Sequence, residues 1–97
     1  MGLCPSLEKD MYYIYLLKSS KDGKLYIGLT NYLKRRILEH NRGLSKSTNY
    51  RRPFKLVYYE AYASEKDAKQ REKMLKKFSG SYNHLKKRAK NSLILFK

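Results

Sequence analysis

Hydrophobic runs rich in aromatic and β-branched residues mark three strands along the chain. Tyr12-Tyr13-Ile14-Tyr15-Leu16-Leu17 and Leu25-Tyr26-Ile27-Gly28-Leu29-Thr30 flank the turn-forming pair Asp22-Gly23, the pattern of a β-hairpin. With Asp22-Gly23 as a two-residue loop, Lys21 stands opposite Lys24 and Tyr15 opposite Thr30. The odd positions of the first strand then share a face with the even positions of the second, which groups Tyr13, Tyr15, Tyr26, Gly28 and Thr30. A loop one residue longer would turn every side chain of one strand over and break that grouping. Further on, Phe54 to Tyr62 resumes a strand pattern through Leu56-Val57-Tyr58-Tyr59 and is expected to join the hairpin.

Helical spacing fills the intervals. Asn31 can cap a helix from Tyr32 to Arg42 that ends at Gly43, with Leu33, Ile37 and His40 on one face and Arg36 beside it. Gly43 to Pro53 reads as a polar, basic loop. Ser64, with Asp67 three residues on, resembles a capping box and opens a second helix whose stripe is Ala68, Glu72, Leu75 and Phe78. Gly80 is expected to end or interrupt it, and a further basic helix to run from Asn83 to Lys90. The chain therefore reads as an α+β domain, a small three-stranded antiparallel sheet flanked by helices in the order β-β-α-β-α-α. Residues 1–10 read as a flexible leader, 11–92 as the domain and 93–97 as a short apolar tail.

Charge narrows the class of partner. The 97 residues hold 23 Lys+Arg against 8 Asp+Glu, a formal net charge of +15, and a chain of this length supports one small core. A polyanion is the natural partner of such a surface. No helix pairs a basic face with the broad apolar face an interfacial membrane helix needs. The longest apolar runs, such as Leu93-Ile94-Leu95-Phe96, fall far below the roughly 18 residues that span a bilayer. Nucleic acid is the expected partner, with Lys46, Arg51, Arg52, Lys69 and Lys76 as the cations that meet phosphate. The lone Cys4 and two histidines offer neither a disulfide nor zinc-finger spacing, and residues 1–10 lack the apolar run of a secretory signal, so a cytoplasmic protein is expected.

Acidic residues are few, and from Met11 onward they are Asp22, Glu39, Glu60, Glu65, Asp67 and Glu72. Asp22 belongs to a turn, Glu65 and Asp67 favour the positive end of a helix, Glu39 sits off the apolar face of the first helix, and Glu60 ends a strand. Glu72 is different. On a wheel of about 100° per residue it lies about 40° from Ala68 and about 60° from Leu75, so its carboxylate points with the core stripe. A half-buried carboxylate needs a partner, either Lys69 or Lys76 at helical spacing or a hard metal ion. Tyr15 and Tyr26 present their hydroxyls on one sheet face beside Gly28, whose small size leaves space for a substrate backbone. His40, one helical turn from Arg36, can approach the same surface or serve as a core residue.

The succession Tyr13-Ile14-Tyr15, Tyr26-Ile27-Gly28, Arg36 and His40 on the next helix, then Glu72, resembles the GIY-YIG nuclease superfamily. The resemblance covers Met11 to Asn91, includes Leu33-Lys34-Arg35-Arg36, Glu39-His40-Asn41 and Arg71-Glu72-Lys73, and looks closest to small single-domain bacterial proteins labelled excision-repair-nuclease-like. It implies a metal-dependent endonuclease that hydrolyses DNA phosphodiester bonds, on branched or damaged DNA, with one Mg²⁺ or Mn²⁺ on Glu72. Tyr15 and Tyr26 would line the site, Arg36 would bind the phosphate in its pentacovalent form, and His40 would match a histidine many members carry. Tyr15, assisted by Tyr26 or His40 and with the charge of Arg36 to help it ionise, would orient or deprotonate water. One departure is Tyr13, where the family name has Gly, a backbone position. A second departure is that the polar residue that often closes the site late in the family domain has no clear match, Asn83 and Asn91 being the nearest candidates. The alternative is a nucleic-acid-binding module of the same fold without cleavage.

Overall fold

Aromatic and β-branched side chains need two covered faces, and in the computed structural model, which describes residues 11–95, they obtain them in the middle of a sheet. Strand β1 (Tyr12–Ser19) lies between β2 (Leu25–Thr30) and β3 (Phe54–Tyr62), antiparallel to both. All five residues from Tyr13 to Leu17 are buried as a result. The expected leader, residues 1–10, and the last two residues of the expected tail lie outside the described residues.

The hairpin register differs from the expected one by two residues. Tyr15 stands opposite Gly28, Tyr13 opposite Thr30 and Leu17 opposite Tyr26, because the loop is longer than Asp22-Gly23. Ser19 N–H donates to the carbonyl of Lys24 and Gly23 N–H to that of Ser19, both at 2.9 Å. Side chains build this turn: Ser19 Oγ accepts from the amides of Lys21 and Asp22, Asp22 Oδ1 accepts from Lys24 N–H, and Gly23 supplies the positive φ of 71°. An even shift preserves strand parity, so the grouping of Tyr13, Tyr15, Tyr26, Gly28 and Thr30 survives.

Parity divides the core. Ile14 and Leu16 pack with Val57, Ala68, Leu75 and Leu85 on one face of the sheet, whereas Tyr13, Tyr15 and Leu17 pack with Leu33 and Phe54 on the other. Helix α1 (Leu33–Asn41) covers the second face; α2 (Glu65–Lys77), α3 (Ser79–Arg88) and α4 (Lys90–Leu95) cover the first. Among the described residues no helix is long and apolar enough to cross a membrane.

Several helix ends depart from expectation for local reasons. Asn31 does not cap α1: the chain stays extended through Tyr32 (φ −147°), which occupies the cap position, while Asn31 Oδ1 accepts a long bond from Arg35. Ser64 does cap α2, accepting from Asp67 N–H. Helix α2 stops at Lys77 because Phe78 leaves helical geometry (φ −113°, ψ 109°) and is exposed, so Phe78 is no part of the buried stripe. Gly80 therefore falls in the first turn of α3, which begins at Ser79, ahead of the expected Asn83. Of the residues expected in the tail, 93–95 close α4, and Leu93 packs on the core.

Glu60 does more than end a strand. Its carboxylate receives Arg71 Nε and an Arg71 terminal nitrogen, each at 2.9 Å, and the hydroxyls of Tyr58 and Tyr62 at 2.6 and 2.8 Å, fastening α2 to β3. Burial would raise this carboxyl, but the bonds from Arg71, Tyr58 and Tyr62 overcome it and hold it at about 2, against an ordinary 4.5. A depressed folded-state value means stabilisation that is complete above about 4.5 and is lost as the pH falls through about 2. The melting temperature should drop across that window, and Glu60→Gln should be less stable at neutral pH and lose this part of the acid dependence.

Candidate active site

The face that groups the odd residues of β1 with the even residues of β2 holds an aromatic and basic cluster. Tyr15 is its centre. Its ring lies directly over Gly28, where a Cβ would collide with the ring carbon Cζ and the hydroxyl. The space above Gly28 is thus filled by a buried phenol and is not open to a substrate backbone, which corrects the expectation drawn from glycine's size. Gly28→Ala would force the Tyr15 ring off its position, and because that ring is buried and hydrogen-bonded it has nowhere to go. Overpacking of this kind costs about 1–3 kcal/mol, readable as a lower midpoint in denaturant.

Helix α1 brings His40 and Arg36 to Tyr15. His40 is fully buried, its Nε2 2.9 Å from the Tyr15 hydroxyl and its Nδ1 2.8 Å from Thr48 Oγ1. The His40 ring meets Tyr26 edge-on at 5.1 Å between centroids and Phe54 at 5.9 Å. Arg36 lies near enough to Tyr15 to act on its phenol, pairs with Glu39 at 2.9 Å and lies 3.5 Å from Ser45 Oγ. A guanidinium can only donate. A neutral imidazole carries one N–H, so two arrangements satisfy the contacts: the Tyr15 hydroxyl donates to Nε2 while Nδ1–H donates to Thr48, or Nε2–H donates to Tyr15 while Thr48 donates to Nδ1. The donor-only guanidinium of Arg36 beside the phenol favours the first of these.

Burial decides the protonation states. It pushes the Tyr15 phenol up to about 12; the hydrogen bond and charge of Arg36 oppose it but lose, while the charges of Tyr26 and Glu72 add to the rise. Arg36 thus does not make Tyr15 a phenolate at neutral pH, contrary to expectation. Burial, joined by the charge of Arg36 and opposed by Glu39, pushes His40 down to about 4, so its imidazole is neutral near pH 7.

Glu72 comes from the other layer. Helix α2 rests on β1 and β2, and from it the Glu72 carboxylate acts electrostatically on Tyr15. Its side chain is 24% exposed and accepts from Lys76 Nζ at 3.0 Å, whereas Lys69 pairs with Glu65. The salt bridge to Lys76 is real, but such exposed pairs are worth about 0–1 kcal/mol, so a cation of higher charge can displace the lysine cheaply. Among the described residues no group of three or more His, Cys, Asp and Glu could hold a metal. A lone carboxylate does not fit zinc, which wants several N or S ligands. It does fit a hard divalent ion that keeps most of its water.

The remaining expected residues are dispersed. Lys46 is exposed in the loop after α1. Arg52 donates to the carbonyl of Asn49. The Arg51 side chain is only 15% exposed, pairs with Asp22 at 3.1 Å, bonds the carbonyl of Leu25 and lies over the Phe54 ring, bracing the loop against the hairpin. Asn83 and Asn91 are both exposed, on α3 and α4. Thr48 and Ser45 were not legible as site residues: both are buried, but in the run Ser45-Lys46-Ser47-Thr48-Asn49 nothing distinguishes them from solvated loop positions. Asn41 holds that loop in place, exchanging two hydrogen bonds with the backbone of Phe54.

Comparison with known proteins gives this geometry a family. The chain is 45% identical over 67 residues to a UPF0213 protein of Bacillus pumilus, covering 68% of this chain and 67% of that one. It is 44% identical over 71 residues to one of Staphylococcus saprophyticus (72% and 85% covered) and 46% over 70 residues to one of Clostridium perfringens (71% and 74%). No solved structure matches it significantly. The GIY-YIG catalytic domain matches residues 11–90, which takes in β1 through α3 and every residue of the cluster above. The chain belongs to the GIY-YIG family.

Proposed function

We propose that this protein is a divalent-metal-dependent endonuclease that hydrolyses DNA phosphodiester bonds, on branched or damaged DNA in the cytoplasm. The observation that carries the reading is the buried Tyr15–His40–Thr48 hydrogen-bond chain with Arg36 at one end and Glu72 in electrostatic range. A structural core has no need to gather a guanidinium, a neutral imidazole and a carboxylate around one phenol.

Each group has a task its chemistry suits. Glu72 would hold one Mg²⁺ or Mn²⁺, which would supply charge neutralisation at the phosphate and its leaving group. Arg36 presents a planar fork to the non-bridging oxygens as their charge grows. Tyr15 oxygen takes a proton from the attacking water as its own proton passes to His40 Nε2, so no free phenolate is required. The water oxygen bonds to phosphorus, the bond to the leaving oxygen breaks, that oxygen takes a proton from solvent, and His40 returns its proton to solvent once the product leaves. Nδ1–H, held by Thr48, keeps the imidazole oriented for this relay. The negative charge of a bound phosphate raises the affinity of His40 for the proton it receives.

Lys46, Arg52, Lys69 and Lys76 supply the phosphate contacts, and Arg51 shapes the loop that carries two of them. If about five phosphates are contacted in all, log K should fall with log[salt] at a slope of about −4 to −5 on duplex DNA. A slope near zero in a titration of affinity against salt would remove this electrostatic reading. The reading as a whole is tested by incubating the protein with supercoiled plasmid and branched oligonucleotides in Mg²⁺ or Mn²⁺ and in EDTA. Metal-dependent nicking is expected. Tight binding with no turnover on any substrate would replace it with the reading as a binding module.

A further inference from the structure

The chemistry above leaves unused a cleft of about 300 Å³ along β2, lined by Leu25, Tyr26, Ile27, Leu75, Lys76 and Tyr82. Its volume is at the small end of ligand clefts, which run from about 300 to 1,000 Å³, and suits a single ring system. Two lining residues join it to the proposed active site: Tyr26 packs on His40, and Lys76 donates to Glu72. An occupant would therefore sit beside the phosphate bound there.

The walls offer three kinds of contact. Leu25, Ile27 and Leu75 make an apolar floor. Tyr82, partly buried against the core and with Lys86 Nζ 4.6 Å from its ring centroid, supplies a π-system, and Lys76, half exposed, a cation. The third is backbone. Strand β2 is an edge strand, and the bond from Ser19 N–H to the Lys24 carbonyl sets the phase of its ladder. In that phase alternate residues of β2, Ile27 among them, turn their amide and carbonyl away from β1. An aromatic side chain, outward backbone donors and acceptors, and a phosphate-binding cation are what a single-stranded nucleotide meets on its binding proteins.

We propose that this cleft is a subsite for an unstacked nucleobase, so that the enzyme prefers strands in which a nucleotide next to the scissile phosphate is unpaired. The proposal rests on the endonuclease reading of the neighbouring site. A base paired and stacked within a duplex cannot enter the cleft, whereas junctions, frayed ends and single strands present one.

The test uses the full chain in EDTA with a 2-aminopurine-labelled single strand and with the same strand in a perfect duplex. Binding of the single strand should quench the fluorophore. Tyr82→Leu keeps apolar bulk against the core and loses the π-system, and it should weaken single-strand affinity by at least about 5-fold, the lower end of the effect of removing a base-stacking aromatic. Tyr82→Phe should bind as the natural protein does. Duplex affinity, carried by phosphate contacts, should be unchanged in both. A single strand of RNA run alongside separates the two sources of an unstacked base, and quenching of either supports the subsite. Unchanged single-strand affinity in Tyr82→Leu, or equal loss on single strand and duplex, overturns it. Cleavage with metal is scored in parallel. Turnover without a Tyr82-dependent preference removes the subsite and leaves the endonuclease reading standing; a Tyr82-dependent preference without turnover does the reverse.

Discussion

Glu72→Gln should abolish cleavage at all practical metal concentrations while DNA affinity stays level or rises slightly. The substitution keeps the shape of the side chain and its ability to accept from Lys76, but removes the negative charge that would hold a divalent ion. Without metal, loss of a negative charge beside Lys76 cannot weaken attraction to phosphate, which is why affinity measured in EDTA should not fall. Stability should hardly change, because the Glu72–Lys76 pair is partly exposed, 24% and 50% on the two side chains, and belongs to the class worth about 0–1 kcal/mol. Cleavage rate, DNA affinity and melting temperature measured together separate two roles for this carboxylate. If it only partners Lys76, the melting temperature moves modestly and any cleavage is untouched; an active, metal-dependent Glu72→Gln protein would end the active-site assignment.

Arg36→Ala should leave metal binding intact and slow cleavage by about 10²-fold, equivalent to about 3 kcal/mol, the cost of deleting one donor aimed at developing negative charge. Arg36 also acts on the Tyr15 phenol and pairs with Glu39. Its loss therefore frees the Tyr15 proton to point elsewhere and loosens the relay to His40. Arg36→Lys should recover only part of the rate, since an ammonium restores charge without the planar fork. Single-turnover rates at saturating metal, with metal affinity measured separately, check both variants. Wild-type rates in Arg36→Ala would remove this residue from the chemistry.

The sequence by itself determined the three strands, their antiparallel pairing and the sheet face that carries Tyr15, Tyr26 and Gly28. Alternation has a period of two, so the face is insensitive to an even change in loop length. The register was decided by the turn, where Ser19 and Asp22 bind the amides of Lys21, Asp22 and Lys24 and hold a wider loop closed between Ser19 and Lys24. Helical spacing likewise placed Arg36 and His40 one turn apart and Glu72 on the inner side of α2, because those relations are local. What required the tertiary structure is the state of each group. Tyr15 keeps its proton because β1 is sandwiched between two strands and two layers, and its ring closes over Gly28; the nearby Arg36, visible in the chain, cannot offset that burial. Thr48 orients His40, and Arg71 with two tyrosines holds Glu60, through contacts between separate elements that no spacing rule encodes. Periodicity reports which way a side chain points from its own element; desolvation and pairing depend on what other elements bring to meet it.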